Sequence, residues 1–166
     1  MEMFTELARI ALTGAGATAV MDAGLAVQKR MGLRVADFAL VGRWVGRMPR
    51  GEFAHAAIAK APAVQGERAL GWIVHYAVGI ALAAAMAAVA GPGWFRNPEL
   101  APAVAFGAAT VALPLLVMQP AMGAGFAGSR TPSPLATCAR SLVNHIAFGA
   151  GLYAAAAVID AILRLF

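Results

Sequence analysis

Charge is what this chain has least of: only 13% of its 166 residues are Asp, Glu, Lys or Arg, and aromatic residues make up 8%. It has one cysteine, Cys138, so no intramolecular disulfide can form. That residue falls in the connection after the third apolar segment and reads as an inert loop thiol. No Cys and His spacing of the zinc type is present. There is no G-x-S-x-G nucleophile turn and no Walker loop, which removes the commonest hydrolase and nucleotide-binding signatures. The glycine-rich string "GAGFAGSR" follows an apolar helix instead of a strand, so it is not a phosphate cradle. The isoelectric point near 10.4 invites a nucleic-acid reading. Without a recognisable reading module, and with the arginines placed beside apolar runs, nucleic acid is excluded as a partner.

What is present is apolar. Hydrophobic residues make up 61% of the chain and its mean hydropathy is +0.73, outside the usage of a water-soluble domain. A hydrocarbon core about 30 Å thick takes roughly 20 residues of helix to cross. Runs of that kind lie near Phe4–Val27, Ala69–Ala90, Ala101–Met122 and Ser141–Ile162. The expected fold is all-α: an integral membrane four-helix bundle forming a single membrane domain over residues 1–166. The first run has acidic Glu2 and Glu6 ahead of it and Lys29, Arg30 and Arg34 after it. A secretory signal has the opposite polarity, so the run reads as a retained helix.

Orientation follows from the basic residues. Between Gln28 and Arg68 stand eight Lys or Arg against Asp37, Glu52 and Glu67, so this connection holds the chain's whole net charge of +5. It is expected in the cytoplasm, with both termini periplasmic and the bacterial inner membrane as the location. Within it, Asp37 is a plausible N-cap. Phe38, Val41, Val45 and Met48 recur at helical spacing, with Arg43 and Arg47 on another face and Pro49 as a stop. The pattern suits a short amphipathic helix in the interface. Trp44 would anchor it, while Arg43, Arg47 and Arg50 meet anionic lipid headgroups or merely fix topology. A partner protein would find the same surface. The following "EFAHAAIAKAP" suggests one more short helix with a solvated His55.

Internal similarity sets the polar residues in register. Gly71, His75 and Gly79 are spaced by four, as are Ser141, His145 and Gly149, which puts a small residue, His and Gly on one face of each helix. In the helices before them, "VMDAG" aligns with "VMQPAMG", pairing Asp22 with Gln119 and Met21 with Met118. The reading is two duplicated helical hairpins related about the membrane normal, as in some transporters. Asp22 lies seven residues before Lys29, and His75 seven after Arg68, so each would sit about 10 Å inward of a cytoplasmic charge. A ligand or polar cluster of Asp22, His75, Gln119, Asn144 and His145 is expected at one level.

Ionisable groups at membrane depth cost about 2.5–3.5 kcal/mol on insertion scales. The plain interpretation is hydrogen bonding among themselves, joining helices or subunits of a homo-oligomer or larger membrane complex. A second is a redox centre. His75 and His145 would ligate a b-type haem axially, or take copper together with the thioethers of Met118 and Met122. A third is a proton-linked pathway through Asp22 and the histidines. Pro114 and Pro120 would kink the third helix, freeing carbonyls towards any such path.

The strings "GATAVMD", "VGRWVGRMPRG", "GERALGWIVHYAVGIA" and "VMQPAMGAGFAGSRTPSP" resemble an uncharacterised family of small bacterial inner-membrane proteins, a domain of unknown function. The similarity spans roughly Gly14 to Tyr153. It implies a four-helix inner-membrane protein and brings no substrate, cofactor or catalytic residue, so the polar cluster rests on the residues alone.

Overall fold

The computed structural model describes residues 2–165 and contains helices and turns, with no strand among them. The long elements are α1 (Glu2–Arg30), α3 (Glu67–Ala90) and α6 (Pro134–Leu163). Another runs as α4 (Leu100–Thr110), a π-helical turn at Pro114–Met118 and the short α5 (Gln119–Ala121). Counted from Leu100 to Ala121, that last stretch makes four helices long and apolar enough to cross a membrane. The amphipathic segment forms α2 (Phe38–Arg47), whose Asp37 cap accepts a bond of 3.0 Å from the Ala39 amide.

Only 17–33% of each span's most apolar stretch is buried inside the chain. Leu12, Val20, Ile73, Val89, Leu116, Val143, Ile146 and Val158 all stand exposed. In water, apolar surface on that scale would drive association; against acyl chains it is matched. The spans therefore carry little amphipathic signal and are apolar nearly all round, as helices facing lipid are.

The chain divides into two compact units. The first gathers residues 1–34, 76–110 and 144–166. Its core is Ala17, Ala83, Met86, Trp94, Phe95, Ala103, Phe148, Leu152 and Ala156. Alanine and glycine dominate the contacts because, with no solvent difference to drive association in lipid, helices gain by letting backbones come close. A Cβ on Gly79 would run into Thr18 of α1, and one on Gly149 would meet Ala103 and Val104 of α4. In each sequence hairpin the glycine following the histidine thus lies against the helix that precedes it.

The second unit holds residues 35–75 and 111–143. Here α2 crosses the start of α3 at Gly42 and Gly71, where a Cβ on Gly42 would strike the Glu67 carbonyl. The "EFAHAAIAKAP" stretch is not an α-helix; it makes only a 3-10 turn at Ile58–Lys60. Its amides are used elsewhere, His55 N bonding Ala121 O at 2.7 Å and Ile58 N bonding Met122 O at 3.0 Å. Those tertiary bonds take donors that a helix would need, overriding the helical propensity of alanine. Helix α6 begins at Pro134, ahead of the expected Ser141, with proline at the first position where its missing amide costs nothing. Cys138 consequently lies on that helix, its thiol 3.1 Å from the Ala127 carbonyl.

Candidate functional site

In the first unit the polar residues expected on the spans each have a partner on another helix. The Tyr76 hydroxyl donates to Asp22 Oδ2 at 3.0 Å, tying α3 to α1. The Gln28 amide donates to Asn144 Oδ1 at 2.5 Å, tying α1 to α6. Thr110 Oγ1 lies 2.8 Å from His145 Nδ1, tying α4 to α6, and the same hydroxyl donates to the Gly107 carbonyl at 2.6 Å. Gln28 and Thr110 did not stand out in the sequence. A phenol beside an imidazole in "VHYAV" was visible, but its orientation towards α1 was not.

In the second unit His75 stacks on the Phe38 ring at 4.1 Å with 29° between planes, and Trp72 meets the imidazole edge-on at 5.8 Å. Phe38 is on α2 and both other rings are on α3, so the imidazole is packed between aromatic rings of two helices. Gln119 is buried at 9% exposure, and its Oε1 has no hydrogen-bond partner. It stands where the π-helical turn hands over to α5, flanked by Pro114 and Pro120. Neither proline can return an amide bond to the preceding turn. Single π-turns inside helices recur at functional sites. Met118 and Met122 bracket the same turn, both half-buried. His55, expected in solvent, is half-buried, with its Nε2 enclosed and unpartnered.

The arginines of α2 turn inward to the chain. Arg43 grips Glu67 with both ends of its fork, Nε at 2.8 Å and the terminal nitrogen at 2.7 Å, and its third nitrogen donates to the carbonyls of Ala59 and Ala61. The bond to Glu67 raises its pKa above the ordinary arginine value. Arg47 is buried, bonding Glu52 at 2.6 Å and the Pro62 carbonyl at 3.1 Å. Trp44 donates its indole N–H to the Phe53 carbonyl at 2.8 Å. Arg50 is exposed.

A second polar group in the first unit escaped the sequence reading altogether. Arg9 of α1 and Asp160 of α6 pair at 3.1 Å with side chains only 12% and 10% exposed. Arg164 holds the other Asp160 oxygen at 2.6 Å, while Arg96 reaches Glu6 at 2.6 Å. Arg164 also donates to the Arg96 carbonyl at 2.8 Å, closing the network. In the sequence these residues are isolated charges near helix ends, with bonded partners up to 151 positions apart. Among the described residues no three His, Cys, Asp or Glu side chains converge as a metal site would require.

Long apolar helices joined by hydrogen-bonded polar residues fit a multi-pass membrane protein. The chain belongs to the family described as "Protein of unknown function (DUF2938)", whose model matches residues 11–159. No curated protein and no solved structure matches it.

Proposed function

We propose that this is a multi-pass protein of a bacterial inner membrane, with both termini periplasmic. In this reading the buried Gln119 at the π-helical turn of the second unit holds a small ligand rich in positive charge or hydrogen-bond donors, such as a cation or protonated amine. The basic connection between α1 and α3 supports the orientation. The matched packing of Gly79 on α1 and Gly149 on α4 supports a duplicated hairpin.

The observation that carries the ligand reading is the Gln119 amide oxygen. A buried acceptor left without a donor costs about 1–3 kcal/mol. A helix could avoid that cost with a leucine at the same position. Two prolines nearby add backbone whose carbonyls lack their usual donors, so the surroundings are rich in acceptors and poor in donors. A donor-bearing ligand supplies what the turn lacks. Melting of the detergent-purified chain in potassium, sodium, ammonium and magnesium salts at constant ionic strength tests this. One of these cations should raise the Tm of the wild type and leave Gln119→Leu unmoved. If none of them shifts the wild type, the reading fails.

A haem or copper centre that takes His145 as a ligand keeps one supporting observation. His145 Nδ1 is hydrogen-bonded to Thr110, the kind of outer bond that orients a ligating imidazole. An absorption spectrum and elemental analysis of the purified protein decide it. A Soret band or stoichiometric copper lost in His145→Ala supports the centre, and a colourless, metal-free preparation rejects it.

A further inference from the structure

Helices α4 and α6 of the first unit meet backbone to backbone where Gly107 faces the His145 carbonyl and Gly149, a place with no room for a Cβ. One turn on from Gly107, Thr110 is buried. Its hydroxyl oxygen lies 2.6 Å from the Gly107 carbonyl oxygen and 2.8 Å from His145 Nδ1. A hydroxyl has a single proton to give, and a carbonyl oxygen has none. Two oxygens 2.6 Å apart need a proton between them, so the hydroxyl proton goes to Gly107. The contact between Thr110 Oγ1 and Nδ1 then has one remaining source of hydrogen, the imidazole itself.

We infer that Thr110 is a positioning residue: it holds His145 as the Nδ1–H tautomer and makes Nε2 the atom by which this ring ligates a metal ion. In a neutral imidazole one nitrogen is a donor and the other an acceptor, and the bond made by the first decides which atom carries the lone pair. Thr110 takes the donor, so the electron pair is on Nε2. The close crossing at Gly107 and Gly149 keeps hydroxyl and ring in register, and an outer bond of this kind is what fixes the tautomer and orientation of a ligating histidine. The choice of a metal ion rests on the reading of His145 as a ligand given above. The tautomer does not, because it is a property of the metal-free chain.

Long-range proton–nitrogen NMR of the full chain, carrying isotope-labelled histidine, stripped of metal and held in detergent at alkaline pH, tests this. His145→Gln assigns the signals of that ring against those of His55 and His75. The wild type should show a protonated Nδ1 and a bare Nε2 at His145, in an excess of about tenfold over the other tautomer, the ratio that an ordinary hydrogen bond imposes. Thr110→Val keeps the shape, loses the hydroxyl and should abolish that excess, whereas Thr110→Ser should retain it. Thr18→Val deletes another buried hydroxyl bonded within its own helix and should leave His145 as it is in the parent. An Nε2–H signal in the wild type overturns the inference even if no variant folds, and so does an excess that survives in Thr110→Val. Copper(I) added to the stripped chain should shift Nε2 and leave the Nδ1 proton in place; loss of that proton to the metal overturns the assignment of Nε2. A chain that takes no copper rejects the metal reading alone, and the tautomer stands or falls on the stripped spectrum.

Discussion

Arg9 of α1 donates to the Asp160 carboxylate of α6 across 3.1 Å, joining positions 151 apart in the chain within two largely apolar helices. Both side chains are about nine-tenths covered. An ion pair in such a place is costly to assemble and more costly to break, because the remaining partner is left charged and unmatched.

Asp160→Leu should therefore destabilise the chain strongly, stranding Arg9 and also releasing Arg164. The double change Arg9→Met with Asp160→Leu should recover most of the loss, since matched apolar replacements of a buried pair are often neutral or better. Thermal melting in detergent of the two single variants and the double variant checks this. If the double variant is no more stable than Asp160→Leu, the pair is not the linkage described.

The Tyr76 to Asp22 bond makes a smaller prediction. Hydrogen bonds between membrane helices average about 0.6 kcal/mol, and Tyr76→Phe removes one hydroxyl while leaving the ring in place. The expected loss is of that size, well below the effect of Asp160→Leu. A reversible unfolding titration in mixed micelles measures it. A loss several times larger would mean that the phenol serves more than this one contact.

How much of this was legible in the sequence depended on range. The all-α class, the four long apolar helices and the Asp37 cap followed from composition and local pattern, which act over a few residues. The "EFAHAAIAKAP" segment misled because its alanines favour helix locally, whereas Ala121 and Met122 capture its amides from a distant part of the chain. The network of Glu6, Arg9, Arg96, Asp160 and Arg164 left no trace for the same reason: each member is a single charge at a helix end, and only folding brings them together. The reverse applies to Arg43 and Arg47. Their helical spacing was plain, yet spacing cannot tell a headgroup from Glu67 or Glu52.

The crossing of α2 over α3 gives a steric prediction. Gly42 lies against the Glu67 carbonyl and the Gly71 amide so closely that no Cβ fits. Gly42→Ala must push α2 outward, which would lengthen the Arg43 to Glu67 bonds and loosen the Phe38 stack on His75. Overpacking of this kind costs about 1–3 kcal/mol. Gly24→Ala, with open space at its Cβ position, is the matched control and should cost nothing or gain slightly, alanine being the better helix former. Proteolysis of the connection between α1 and α3 should accelerate in Gly42→Ala and stay unchanged in Gly24→Ala.

Ala127 holds the left-handed conformation, with φ 50° and ψ 34°, in a loop where Gly123, Gly125 and Gly128 also have positive φ. Alanine in that region costs roughly 1–2 kcal/mol relative to the right-handed form, because its Cβ crowds the following carbonyl. Ala127→Gly removes the crowding, and the added freedom of the unfolded chain returns about 0.5–1 kcal/mol against it. The balance is a gain of up to about 1.5 kcal/mol, seen as a higher Tm. The Ala127 carbonyl accepts from the Cys138 thiol at 3.1 Å, so a faithful loop should keep Cys138 as slow to alkylate as in the parent. A faster thiol in the stabilised variant would mean that the strain at Ala127 was holding that carbonyl in place.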